Sequence, residues 1–117
     1  MTGGAFSLSS LYPDDRFEIL EGETARGGLK TGPNHRFCPS CMSWLFTVPD
    51  GFEGFANVRS SLFANAAEHR PYVDMWTSEA LPLAQSGAEL RYETVPDEAQ
   101  FGELMASYAE WDGRVKQ

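Results

Sequence analysis

The stretch Arg36-Phe37-Cys38-Pro39-Ser40-Cys41-Met42-Ser43-Trp44-Leu45-Phe46 contains both cysteines of a 117-residue chain, and its reading decides the fold. Pro39 and Ser40 between the thiols favour a tight turn that brings both sulfurs to one side. His35-Arg36-Phe37 leads into this turn and Ser43 to Val48 leads out of it, so the pattern predicts two short strands joined by a cysteine knuckle. Two thiolates so placed offer two corners of a tetrahedron, whereas a structural zinc takes four ligands.

Three readings of Cys38 and Cys41 compete. A thioredoxin-like redox pair would open a helix, whose N-terminus lowers the thiol pKa, but residues 42–48 read as a strand. Two unrelated buried thiols are a second reading. Metal binding is the third, and the turn between the thiols favours it, as does a close pair in a chain without a secretion signal.

Working outward, residues 5–12 alternate as a strand with Phe6 and Leu8 on one face, ended by Pro13-Asp14-Asp15. A second strand is expected over 17–21, with Phe17 and Ile19 facing inward and Gly22 closing it, then a weaker, bulged one over 24–30. Thr31-Gly32-Pro33-Asn34 and Pro49-Asp50-Gly51 are turns, and residues 52–63 continue as one or two strands. Residues 72–76 and 89–94 alternate as half-buried strands. The one helix starts after Asp97, with Gln100 three residues on completing a capping box. Phe101, Leu104, Met105 and Tyr108 form its core-facing stripe and Gly113 its stop.

Length and composition, with 42% apolar and 13% aromatic residues, fit a single domain over 1–117. A formal charge of −8 with nine scattered Lys and Arg argues against nucleic-acid binding. No run approaches the ~18 apolar residues of a membrane span, and Met1-Thr2-Gly3-Gly4 is no signal peptide, so a soluble, cytoplasmic protein is expected.

At the cysteine stretch the chain resembles the glutathione-dependent formaldehyde-activating enzymes and their centromere protein V relatives. Those proteins carry an arginine, an aromatic residue, Cys-x-x-Cys, often a glycine, then a small residue and an apolar strand. Thr2-Gly3-Gly4-Ala5-Phe6-Ser7, Phe17-Glu18-Ile19-Leu20-Glu21-Gly22-Glu23, Arg70-Pro71, Trp76-Thr77-Ser78 and Leu81-Pro82 are similar to further parts of the pattern. The resemblance implies a mainly β fold of small twisted antiparallel sheets (β-tent, Mss4-like) with one C-terminal helix. It also implies a zinc-dependent carbon-sulfur lyase acting on adducts of glutathione, or another thiol, with small aldehydes such as formaldehyde.

In that family an upstream Cys-x-Cys joins the later Cys-x-x-Cys around a structural zinc, and a Cys-x-Cys-x-x-Cys holds a catalytic zinc. Neither group stands in these 117 residues. Two explanations are open, a degenerate relative or a start assigned to an internal methionine, and the well-kept remainder favours the second. The expectation is therefore that Cys38 and Cys41 are structural zinc ligands, that no catalytic residue is present, and that the 117-residue chain is inactive. The alternative is a non-catalytic zinc-knuckle binding module of the same fold.

Other candidates have plainer readings. His35 and His69 are able to ligate zinc, yet a satisfied or exposed histidine is the reading favoured for each. Arg36, Arg59 and Arg70 have the charge to meet the carboxylates of glutathione, although solvated or paired arginines are commoner. Trp44, Trp76 and the phenylalanines read most simply as core, although Trp76 before Thr77-Ser78 has the position to line a cleft. Asp14-Asp15 and Asp97-Glu98 take turn and cap roles, and neither Ser7, Ser9 and Ser10 nor the Gly3-Gly4 and Gly27-Gly28 pairs have the context of a nucleophile elbow or a phosphate loop. Loss of the family's first strands predicts a homo-oligomer formed through exposed sheet edges.

Overall fold

A computed structural model describes residues 3–51 and 53–115. Met1 and Thr2, read above as the start and its threonine-glycine stretch, lie outside these residues, as does Phe52 at the head of the strand expected over 52–63. The chain forms two compact units, one ending at Ala64 and the other beginning at Asn65.

The first unit is a five-stranded sheet, every neighbouring pair antiparallel. Its strands are β1 (Ser9–Pro13), β2 (Ala25–Arg26), β3 (Asn34–Phe37), β4 (Trp44–Val48) and β5 (Phe55–Arg59), in the spatial order β1-β5-β4-β3-β2. The register pairs Phe46 with Val58 and Tyr12 with Ala56. Because side chains alternate across a sheet, these residues share one face. Phe46, Ala56 and Val58 are the buried core there, flanked by Tyr12, Phe17, Leu45 and Phe63, and the Phe17 and Phe46 rings pack at 4.7 Å.

The expected strand over 17–21 does not form. Phe17 finds the core, but Ile19 is 49% and Leu20 86% exposed, so two apolar residues in alternation buy no partner strand here. The segment that does pair is the two-residue β2, against β3. The bulge expected in residues 24–30 lies instead between β3 and β4, where Arg36 opposes Phe46 but Phe37 opposes Trp44. That one-residue shift turns Trp44 to the face of His35 and Thr47.

In the second unit β6 (Val73–Asp74) pairs with β7 (Leu90–Arg91). Both are shorter than the alternation over 72–76 and 89–94 suggested, and the pair is parallel rather than antiparallel. Helix α1 (Glu98–Glu110) begins as expected: the Asp97 carboxylate accepts from the Gln100 backbone N–H at 2.8 Å, and Gln100 Oε1 accepts from the Asp97 N–H at 3.0 Å. Of the apolar stripe Leu104 alone is buried, while Met105 and Tyr108 are exposed by 42% and 40%. Tyr72, Tyr108 and Trp111 stack mutually, at 4.7 Å between Tyr72 and Trp111. The architecture is mainly β with a single C-terminal α-helix among the described residues, and no helix there is long and apolar enough to cross a membrane.

Candidate metal-ligand knuckle

The six residues between β3 and β4 form the knuckle expected from the sequence. The Cys38 N–H donates to the Ser43 carbonyl at 2.9 Å, and the Met42 N–H donates back to the Cys38 carbonyl at 2.8 Å. This winding requires a left-handed residue, and Met42 takes it with φ of 60°. Pro39, Ser40, Cys41 and Met42 stand exposed, Cys38 is half-buried, and both thiols are free.

The thiols are not equivalent. The Ser43 side chain and then its backbone hydrogen-bond Cys41, the Cys38 side chain does so as well, and together they lower the Cys41 pKa from 9.0 to about 7.

Beneath the knuckle Trp44 is 2% exposed. Its indole N–H donates to Thr47 Oγ1 at 2.9 Å, and His35 Nδ1 lies 2.8 Å from the same oxygen. Sequence reading missed Thr47. The cross-strand pairing of His35 with Thr47 and the bulge that turns Trp44 toward them are properties of register, and no local pattern announces them. Gly27 and Gly28 pass close above: a Cβ on Gly27 would lie 2.5 Å from the Phe37 ring, and one on Gly28 3.1 Å from the His35 ring.

The remaining candidates are placed elsewhere or are already engaged. Among the described residues no group of three or more His, Cys, Asp and Glu side chains is placed to hold a metal ion, so His35 does not join Cys38 and Cys41. The described residues thus place two thiols and no third ligating side chain at the knuckle, so a complete tetrahedral zinc site does not fit them. His69 lies in the second unit, where its N–H donates to the Ala66 carbonyl.

Arg36 clamps Thr24, with Nε to Oγ1 at 2.9 Å and a terminal nitrogen to the carbonyl at 2.7 Å. Arg59 Nε donates to Ser61 Oγ at 2.8 Å, and Arg70 sits 5.6 Å over the Trp111 ring. Each arginine is thus held within its own unit. Trp76-Thr77-Ser78 is a clamp as well, with its three backbone N–H groups donating to the carbonyls of Thr94, Tyr92 and Glu93, and Trp76 left 55% exposed.

Sheet and knuckle together define a mainly β protein with two free thiols in one tight turn, Cys41 exposed and Cys38 half-buried. The chain belongs to the glutathione-dependent formaldehyde-activating enzyme family, whose description matches residues 1–79. No curated protein and no solved structure matches it. The match spans the whole first unit and the β6 strand; β7 and α1 lie beyond it.

Proposed function

We propose that the chain is a carbon-sulfur lyase-like protein of thiol-aldehyde chemistry, with glutathione as the thiol and formaldehyde as the type of aldehyde. The observation that supports this is the family match over 1–79 with the Cys38–Cys41 knuckle folded inside it. In such chemistry a thiol sulfur adds to a carbonyl carbon while a proton reaches the oxygen, and the reverse step breaks the same carbon-sulfur bond. Cys38 and Cys41 serve as structural zinc ligands, with a soft metal matched to their thiolates. No residue here is assigned a catalytic role, and the 117 residues by themselves turn over no adduct.

A second reading is a non-catalytic zinc-knuckle binding module of the same fold. Formaldehyde consumption with glutathione present, followed by NMR on the zinc-supplemented protein, separates the possibilities. The expected result is no acceleration over the protein-free reaction together with measurable glutathione binding. Turnover would overturn the assignment of inactivity, and no glutathione binding would leave the module reading in its place.

A further inference from the structure

The second unit carries a cleft remote in sequence from the knuckle. Its lining is Asp74, Gln85, Ser86, Gly87, Ala88 and Arg91, around about 180 Å³ of open space. All of these but Asp74 lie beyond the family match over 1–79, so the cleft belongs to β7 and the loop that precedes it. Parallel pairing of β6 with β7 sets Asp74 directly against Arg91. The ladder is held by the Tyr92 N–H donating to the Asp74 carbonyl at 2.8 Å and the Leu90 N–H to the Tyr72 carbonyl at 3.1 Å. Paired residues of a ladder present their side chains on one face, so a carboxylate and a guanidinium stand together at the wall of the cleft.

These two charges do not satisfy one another. Arg91 Nε is 3.7 Å from Asp74 Oδ2, an ion pair too long for a hydrogen bond. Among the described residues the guanidinium, 57% exposed, has no other polar partner. The other side of Asp74 is fixed: Ser86 Oγ donates to Oδ1 and accepts from the Ala88 N–H at 3.1 Å. Gly87, left-handed with φ of 76°, carries the loop past this point, and its N–H meets no acceptor among the described residues. The cleft thus offers a carboxylate oxygen with acceptor capacity to spare beside a guanidinium with N–H groups to spare.

We infer that this cleft binds an α-amino-acid head, an ammonium and a carboxylate on one carbon, with the ammonium on Asp74 and the carboxylate on Arg91 and the Gly87 N–H. A lone anion would meet the Asp74 charge and a lone cation the Arg91 charge, whereas a zwitterion complements both. An apolar occupant would strand the two charges without partners. The volume lies below the ~300–1,000 Å³ of clefts that enclose drug-sized ligands, so the head enters and the rest of its carrier stays in solvent. Free amino acids carry this head, and so does the γ-glutamyl end of glutathione. The site takes either carrier, independently of any thiol-aldehyde chemistry elsewhere in the chain.

The test is titration of the isotope-labelled 117-residue protein, followed by amide NMR shifts, with L-glutamate and glutathione. Two incomplete heads serve as controls: N-acetyl-L-glutamate, which lacks the ammonium, and γ-aminobutyrate, whose two charges sit on different carbons. Expected are saturable shifts within residues 85–91 from a complete head and binding about tenfold or more weaker for the controls, the loss that removing one charge-assisted hydrogen bond brings. Shifts from both carriers make the shared head the determinant; shifts from glutamate alone make free amino acids the ligand, and from glutathione alone the tripeptide. Arg91→Gln, at an exposed side chain, should keep the fold and weaken binding about tenfold or more. Asp74→Asn, which still accepts from Ser86, should do the same. N-acetyl-L-glutamate binding as well as L-glutamate, unchanged affinity in Arg91→Gln, or no shift within 85–91 from either carrier at millimolar concentration would overturn the assignment.

Discussion

Trp44 and Thr47, three residues apart on β4, are joined by a 2.9 Å hydrogen bond from the indole N–H to the threonine hydroxyl, and that hydroxyl also meets His35 Nδ1 at 2.8 Å. One buried oxygen thus ties the strand leaving the knuckle to the strand entering it. Thr47→Val keeps the shape and removes the oxygen, leaving a buried indole N–H without a partner. A loss of about 1–3 kcal/mol in urea unfolding is expected, with Thr47→Ser losing less. Equal stabilities for Val and wild type would show the hydroxyl to be dispensable.

His35 is correspondingly a structural residue and not a spare ligand. His35→Ala should lower stability by about 1 kcal/mol in urea unfolding, because it removes the ring that meets the Thr47 hydroxyl. Unchanged stability in His35→Ala would show its bond to Thr47 to be dispensable.

Met42 holds a left-handed conformation, φ 60°, with its side chain 63% exposed. A side chain with a Cβ costs about 1–2 kcal/mol there, while glycine adds freedom to the unfolded chain. Met42→Gly should therefore stabilise the fold by a net ~0.5–1 kcal/mol. A lowered melting temperature would mean that the Met42 side chain makes contacts worth more than the strain.

These three positions show what was legible in the sequence. The strand-knuckle-strand unit was readable because turn residues and alternation are local signals, and so was the Asp97 cap with Gln100. The shared Thr47 oxygen was not, since it depends on which residue of β3 faces which of β4 and on a bulge that shifts Trp44 by one place. Residues 17–21 misled for the same reason: Phe17 and Ile19 alternate, but a strand needs a neighbour with free backbone groups, and β3 takes Ala25–Arg26 instead. The two thiols stand three residues apart in the sequence, whereas the engagement of Arg36 with Thr24 spans twelve residues.

Cys41 should react as an unusually acidic thiol. Hydrogen bonds from the Ser43 side chain and backbone, then from Cys38, lower its pKa from 9.0 to about 7. Its alkylation rate should therefore rise to half its plateau near pH 7, and Ser43→Ala should move that midpoint upward. The sign for stability follows from linkage: between about 7 and 9.0 the folded protein binds fewer protons at this sulfur than the unfolded chain does, so stability rises with pH across that window and this contribution is lost as pH falls through 7. An alkylation midpoint unchanged in Ser43→Ala would remove Ser43 as the cause.

The second unit offers a check on its helix. Asp97→Ala removes an acceptor from one end of the capping box and should cost ~1 kcal/mol, visible as a lower midpoint or as loss of helical circular dichroism. Asp97→Asn, which keeps an acceptor oxygen, should retain most of the stability. If Asn were as damaging as Ala, the carboxylate charge rather than the hydrogen bond would be the stabilising element.

Gly27 is needed for closeness rather than for an unusual φ. A Cβ there would stand 2.5 Å from both Cδ2 and Cε2 of Phe37, well inside contact distance, and Phe37 faces Trp44 across the bulge just before the knuckle. Gly27→Ala must therefore push the ring or lift the β2 margin of the sheet, at a cost of about 1–3 kcal/mol as for other overpacked sites. Steric origin makes a second prediction: in a Phe37→Leu background, with the ring gone, the same Gly27→Ala change should cost less than half as much. A penalty of the same size in both backgrounds would place the conflict in the backbone of residues 27 and 28 and not in the aromatic ring that leads the chain into Cys38.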